Sequence, residues 1–252
     1  MPEPQGWAQA GRRLLRGTIA GLAFCIIPVI YIVRALLHGS YPTAVIFFGM
    51  LLCPLILICT MQFIHRGRTR VRAVHDATGT VLFLDRRVAV SIMSSLGIGS
   101  VTLLALAVAT SIGELDVPMS RGMAISSTCV AAFGGLFGLA GLCTVWQRGG
   151  VGYVELSPEG VEIANVVKTE LVDWDEIVEV ADGEEEKKTR RAVVLRLRNG
   201  DEKVIDGADF YVPGGAPLYW MVRHYWSHPE DRPELVDGQA LTRLRNGRFA
   251  TA

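Results

Sequence analysis

Residues Gly122–Gln147 read GMAISSTCVAAFGGLFGLAGLCTVWQ, 26 positions without a charged residue or a histidine. Two more stretches of that length share the property, Gly39–Ile64 and Val88–Gly113, and a shorter one covers Gly17–Val33. Leu14 and Leu15 extend the short run on one side and Ala35–Leu37 on the other. About 20 apolar residues cross a bilayer as a helix, and a helix satisfies its own backbone hydrogen bonds in hydrocarbon. The four runs predict four spanning helices, over about 17–37, 43–64, 88–112 and 123–146.

The formal net charge of zero is unevenly distributed. Residues 1–148 hold twelve Arg against five Asp or Glu, and residues 149–252 hold thirteen Arg or Lys against twenty acids. A basic membrane region, 1–148, and an acidic soluble region long enough to bury its own core are therefore expected. All five cysteines, Cys25, Cys53, Cys59, Cys129 and Cys143, lie inside apolar runs, so no disulfide framework or Cys-based zinc site is expected. Arg12, Arg13 and Arg16 flank the first run as they would a signal peptide, but no clean small-x-small site follows. Phe24 spoils the lipoprotein-like Leu22-Ala23-Phe24-Cys25, and the first run reads as an uncleaved helix.

Orientation follows from the short loops. One side receives Arg12, Arg13, Arg16, Arg66, Arg68, Arg70, Arg72, Arg86, Arg87 and Arg148; the other receives only Arg34 and Arg121. The excess of basic residues marks the cytoplasmic face, so both termini are expected there. The connections 34–42 and 114–121 are short enough to make two antiparallel helical hairpins. No ionisable group lies at membrane depth, which weighs against a transporter, and Pro28 and Pro54 are isolated. In the fourth run Gly134 and Gly138, with Ala131 and Gly135, leave one helix face nearly bare. Such a face admits a second helix, either inside the bundle or from another subunit.

The loop His65–Arg87 holds six Arg, two His and two Asp. Arg66, Arg68, Arg70 and Arg72 alternate with other residues beneath the second run. They either set topology, hold lipid phosphate, or dock on the acidic region. Residues Gly79–Leu84 (GTVLFL) look like a strand, to pair with a sheet or lie along the interface.

After Arg148 the hydrophobic period drops to two. Strands are expected at Val151–Leu156, Val161–Val167, Glu170–Trp174, Ile177–Val180, Ala192–Arg198 and Glu202–Ile205. Ser157-Pro158-Glu159-Gly160 and Asn199-Gly200 supply the turns, and Asp182–Arg191 reads as an exposed charged loop. Pro217 then opens an amphipathic helix over about Leu218–Ser227. Leu156-Ser157-Pro158-Glu159-Gly160-Val161, followed by Trp174-Asp175-Glu176-Ile177, resembles the opening of bacterial PH-like domains. The resemblance covers about 150–228 and implies a barrel with Trp174 and Ile177 packed at a corner. It also implies seven strands where six are counted; either one is missed or 79–84 completes the sheet. The whole layout is similar to a group of uncharacterised actinobacterial membrane proteins.

The expectation is thus an α+β protein of the bacterial plasma membrane. A four-helix region (1–148) precedes a cytoplasmic PH-like domain (149–228) with a closing helix. Residues 229–252 are left as a tail, with one short helix over Gly238–Arg245. Phosphoinositide binding, common in eukaryotic relatives of the fold, does not carry over. The basic cluster Lys187, Lys188, Arg190 and Arg191 adjoins Glu184–Glu186, and the acidic balance disfavours nucleic acid. His224 and His228 share a helix face without an HExxH pattern and read as solvated. No phosphate loop, nucleophile elbow, catalytic set, metal site or cofactor site is found. The expected role is an interaction module or complex subunit. Its partners are the bilayer and an unknown protein, or a second copy through the fourth span; a transport component and a membrane-associated enzyme are the alternatives.

Overall fold

A computed structural model describes residues 1–8, 10–148, 150–165, 168–183 and 190–249. The chain forms two compact units, one of residues 14–61 and 89–149, the other of residues 1–13, 62–88 and 150–252.

The first unit is built from α1 (Ala10–Leu37), α2 (Tyr41–His65), α3 (Arg86–Ile112) and α4 (Arg121–Gln147). All four are long and apolar enough to cross a membrane. Their outer surface is fit for lipid: Phe133 is 80% exposed and Phe137 81%, values a water-facing helix does not tolerate in series. Hydroxyls within the helices bond back to their own backbone, as Thr60 Oγ1 does to Ile56 O, Ser100 Oγ to Leu96 O and Thr110 Oγ1 to Leu106 O, each at 2.7 Å. No donor is thereby left bare. Small residues set the helix contacts. Gly21 meets Ile58 between α1 and α2, and Gly49 meets Thr102 between α2 and α3. The Cys53 Sγ lies 3.0 Å from Ser95 Oγ across the same α2–α3 pair. At the far end of the hairpins the two short loops are tied by His38 Nδ1 to Asp116 Oδ2 at 2.7 Å, and Asp116 N donates to Thr43 Oγ1 at 3.1 Å.

The second unit holds two antiparallel sheets. The larger has the order β1 (Arg72–His75), β2 (Thr80–Phe83), β3 (Gly152–Leu156), β4 (Gly160–Asn165), β5 (Thr169–Asp173). The smaller comprises β6 (Ile177–Ala181), β7 (Val193–Leu197) and β8 (Glu202–Ile205). Three helices follow, α5 (Ala216–Ser227), α6 (Glu234–Asp237) and α7 (Gln239–Asn246). The alternation that marks β2, β3 and β4 in the sequence places Leu82, Val154, Leu156, Val161 and Ile163 in one core. Asn199-Gly200 turns β7 into β8, with Gly200 at φ +88°.

Three sequence expectations change here. The strand-like piece 79–84 is a strand, β2, paired with β3 through Thr80↔Leu156 and Phe83↔Tyr153, and β1 adds a further strand outside it. The soluble unit is therefore not 149–228 alone, because β3 has its partner in the loop between α2 and α3. Nor do residues 229–249 trail away: Leu235, Ala240, Leu241, Leu244 and Phe249 are buried in the same core. Their amphipathic spacing finds its apolar partner on α5 only once the chain folds back. Of the expected strand Val161–Val167, Val166 and Val167 lie outside the described residues, as do 184–189 of the charged loop.

Since β2 and β3 are antiparallel neighbours, α3 and α4 occupy the place of a hairpin loop. Replacing residues 86–149 by a short Gly-rich turn, in a chain of 62–85 joined to 150–252, should give a soluble protein that unfolds cooperatively. Residues 150–252 alone lose the burial supplied by Leu82, fully enclosed by the sheet, worth about 1.5–3 kcal/mol, and leave the β3 edge bare. That shorter fragment should bind an apolar dye and aggregate. Equal denaturation midpoints for the two chains would show that β2 is dispensable.

Candidate functional site

The arginine ladder begins where α2 ends. Gly67, at φ +64°, closes the helix with its N–H on Ile64 O, and Arg68 N–H returns to Phe63 O. Arg66, Arg68, Arg70 and Arg72 are all exposed, while Thr69 between them is buried. Among the described residues none of the four is in an ion pair. The loop meets the acidic region through the β2–β3 ladder, so backbone hydrogen bonds rather than arginine–carboxylate attraction hold it. Asp85 adds to the attachment, its N–H donating to Phe210 O at 3.3 Å, while its buried carboxylate braces the loop by accepting the Arg70 N–H at 2.7 Å and the Arg87 N–H at 2.8 Å. Arg72 lies over the Phe83 ring, 5.3 Å from its centroid. The guanidiniums of Arg66, Arg68 and Arg70 are exposed beside the end of an apolar helix.

The small face of α4 is filled from within the chain. Ala131, Gly135 and Gly138 are buried, whereas Gly134 is exposed. A Cβ at Gly135 would lie 2.6 Å from Leu104 Cγ and 3.0 Å from Ser100 O, and one at Gly138 would collide with Ser100 Oγ. Gly134, though exposed, also faces α3, its Cβ position 3.2 Å from Leu103 Cδ1, so all three glycines adjoin that helix. Self-association through this face, one of the sequence expectations, would require α3 to leave it.

Trp174 and Ile177 sit at the corner between the two sheets, 2% and 5% exposed. The Trp174 indole N–H donates to Ser157 O at 2.9 Å, and Arg232 covers its ring at 5.3 Å. Outside the corner lies an open cleft of about 420 Å³ lined by Asp173, Asp175, Glu176, Leu197, Arg198 and Asn199. Among the described residues no group of three or more His, Cys, Asp or Glu is placed to hold a metal ion.

His224 departs from its solvated reading. It is 6% exposed, because α6 and α7 fold over α5. Its Nε2 lies 2.9 Å from Asp231 Oδ2 and 3.0 Å from Arg243 Nη1, its ring stacks on His228, and its Nδ1 is buried without a partner. Arg243 also donates to Glu234 at 2.6 Å, and Glu234 accepts from the Tyr225 hydroxyl at 3.2 Å. This network borders a second open cleft, about 450 Å³, lined by Glu234, Gln239, Thr242, Arg243, Asn246 and Arg248. Arg243 is engaged by two carboxylates, one on α6 and one before it, so the network binds helix to helix.

The sequence also gave no notice of Trp7. It is 3% exposed in the core of the soluble unit, and its indole N–H is shared by Asp182 O at 2.8 Å and Ala192 O at 3.3 Å. Beside it Arg191, expected in an exposed loop, is 7% exposed and reaches Asp209, which is fully buried, and Glu3. The one signal available was an aromatic residue outside every apolar run, between Pro4 and the first arginines.

No protein-family model, curated protein or solved structure matches this chain.

Burial, together with the neighbouring Arg243 and His228, lowers the proton affinity of His224, against the opposing pull of Asp231. An unfolded histidine binds its proton near 6.5 and the folded one resists it. The unfolded chain therefore carries more protons in this window, and stability rises with pH. The contribution of His224 is complete above about pH 6.5 and lost as pH falls through its lower folded value. Between pH 7.5 and 5.5 the α7 amides of the full-length protein in micelles should lose hydrogen-exchange protection before those of β7. His224→Gln, which does not titrate, should remove the difference; an unchanged pH dependence in that variant would assign it elsewhere.

Proposed function

We propose that this chain is a multi-pass protein of a bacterial plasma membrane that presents a cytoplasmic PH-like domain as an interaction module, a scaffold or subunit of a membrane complex rather than an enzyme. One observation carries the reading: every helix of the apolar unit joins the soluble unit across a short connection. Residues 8–9 precede α1, 66–71 follow α2, 84–85 precede α3 and 148–151 follow α4. None of the four connections is a long flexible linker of the kind that tethers a mobile catalytic head. Of the twelve arginines in residues 1–148, Arg66, Arg68, Arg70 and Arg148 lie in these junctions and six more within seven residues of them, against Arg34 and Arg121 at the opposite ends, which supports a cytoplasmic domain.

The strand count supports the PH-like reading. The region after Arg148 supplies six strands, and β2 brings the number to seven, four in one sheet and three in the other, with α5 following the last. In this reading β1 is an addition at the edge, and α3–α4 interrupt the connection between the first two barrel strands. The bilayer is the first partner, met by the apolar helices and by the arginine ladder at the headgroups.

A reporter active only in the cytoplasm should work when fused at Met1 or at Ala252 and fail when inserted between Glu114 and Arg121; the opposite pattern contradicts the orientation. The soluble unit in which a turn replaces residues 86–149, immobilised, should retain from detergent extract the same protein that the full chain retains. A partner held only by the full chain would move the interaction to the helices, and no specific partner for either would end the scaffold reading.

A further inference from the structure

Residues Met1–Ala8 are irregular, apart from one short turn over Gln5–Trp7, yet they make dense, residue-specific contacts with the soluble unit. Trp7 is enclosed, its indole N–H on two main-chain carbonyls and its ring edge-on to Tyr219 at 6.1 Å between centroids. Gly6 N donates to Asp182 Oδ2 at 2.8 Å, and a Cβ at Gly6 would stand 2.6 Å from Asp182 Oδ1, so a larger residue would push that carboxylate aside. Pro4 is buried, at φ −58° and ψ 147°, which holds the chain extended. The Trp220 indole N–H donates to Pro2 O at 3.0 Å, and Arg191 Nη2 donates to Glu3 Oε1 at 2.7 Å.

The floor under these contacts is built for a charged guest. Arg190 and Arg191 both reach Asp209 Oδ2, at 2.8 and 3.3 Å, so one buried carboxylate is shared by two guanidiniums, and Arg191 keeps a second amino group for Glu3. Among the described residues Arg191 Nε and Asp209 Oδ1 have no partner, and Arg191 adopts φ +45°, a conformation that strains a non-glycine residue. Ordinary core packing would not keep a strained, half-satisfied arginine at this spot; a site that reads a carboxylate has use for one. An aromatic anchor in a pocket, a main-chain N–H held by a carboxylate and a carboxylate read by arginine are elements by which domains recognise short peptides.

We propose that Asp182, Arg191, Ala192, Asp209, Tyr219 and Trp220 form a peptide-binding groove for a segment of the type Glu-Pro-x-Gly-Trp, and that Met1–Ala8 is its intrachain ligand. This goes beyond the interaction role proposed above, since it locates a groove and states the chemistry that fills it. The ligand ends at Ala8 and α1 begins at Ala10, so occupancy of the groove is linked to the first residues of that helix.

The test uses the full chain in micelles in two forms. One lacks residues 2–9; the other carries a protease site inserted after Ala8 and is cleaved after folding, so that the test stays valid if the truncated form does not fold. The probe is a fluorescent octapeptide of the sequence Met1–Ala8, read by anisotropy. It should bind at least one form saturably and one to one, and should not bind the uncut chain, whose groove is filled. Peptides carrying Trp7→Ala or Glu3→Lys should bind at least tenfold more weakly. No saturable binding to either form, equal binding to the uncut chain, or a Trp7→Ala peptide within twofold of the parent would each overturn the proposal.

Discussion

The antiparallel ladder between β2 and β3 is the contact on which the soluble unit depends. Its two strands are neighbours about 4.8 Å apart, and residues 84–151, with all of α3 and α4, lie between them in the chain. Joining strands across so long an intervening segment is entropically unfavourable until that segment is itself ordered. Once α3 and α4 have closed into a hairpin, with Ala131, Gly135 and Gly138 against Ser100 and Leu104, little closure entropy remains to be lost. The apolar packing of one unit thus prepares the strand pairing of the other, through connectivity alone. Asp85 then fixes the junction, accepting one N–H from each side of the two-stranded excursion.

Charge has a smaller part in this assembly than the division of +7 and −7 between the regions implies. The arginines of the ladder are exposed and meet no carboxylate among the described residues. The ion pairs that are buried lie elsewhere, at Arg191–Asp209 and within the His224 network. Buried pairs of this kind recover little stability after desolvation, and they define which segments come together more than how tightly. Here each fastens an outlying piece of chain, residues 1–8 in one case and α6–α7 in the other, to the helix and strands at the centre.

The sequence disclosed whatever is encoded over short range. Uncharged runs of 26 residues leave no alternative to long helices, and Asn199-Gly200 between VVLRLR and DEKVID determines a hairpin locally. Trp174 and Ile177 were readable because a turn and an alternating strand flank them. What stayed hidden depends on distant pairing. The four residues Thr80–Phe83 have the pattern of a strand, but nothing near them names Val154 and Leu156 as the partners across two helices. Trp7 sits among polar residues, and its pocket is assembled from residues 182, 192 and 219. His224 appears exposed on its own helix, and only the return of α7 covers it. Local periodicity records which face of an element is apolar and leaves open what will cover it.

Disulfide trapping across the ladder tests the three-piece domain most directly. In a chain freed of its five native cysteines, with a protease site between Glu114 and Arg121, Val81→Cys and Glu155→Cys place two thiols at directly paired positions. Paired strand positions fall within the Cα separation that a disulfide spans, roughly 4.4–6.8 Å. Mild oxidation in native membranes should join the two proteolytic fragments rapidly. The control pair Val74→Cys with Glu155→Cys, two strands apart, should join them far more slowly. Equal rates for the two pairs, or no crosslink in the first, would contradict a sheet woven from the loop and the region after α4.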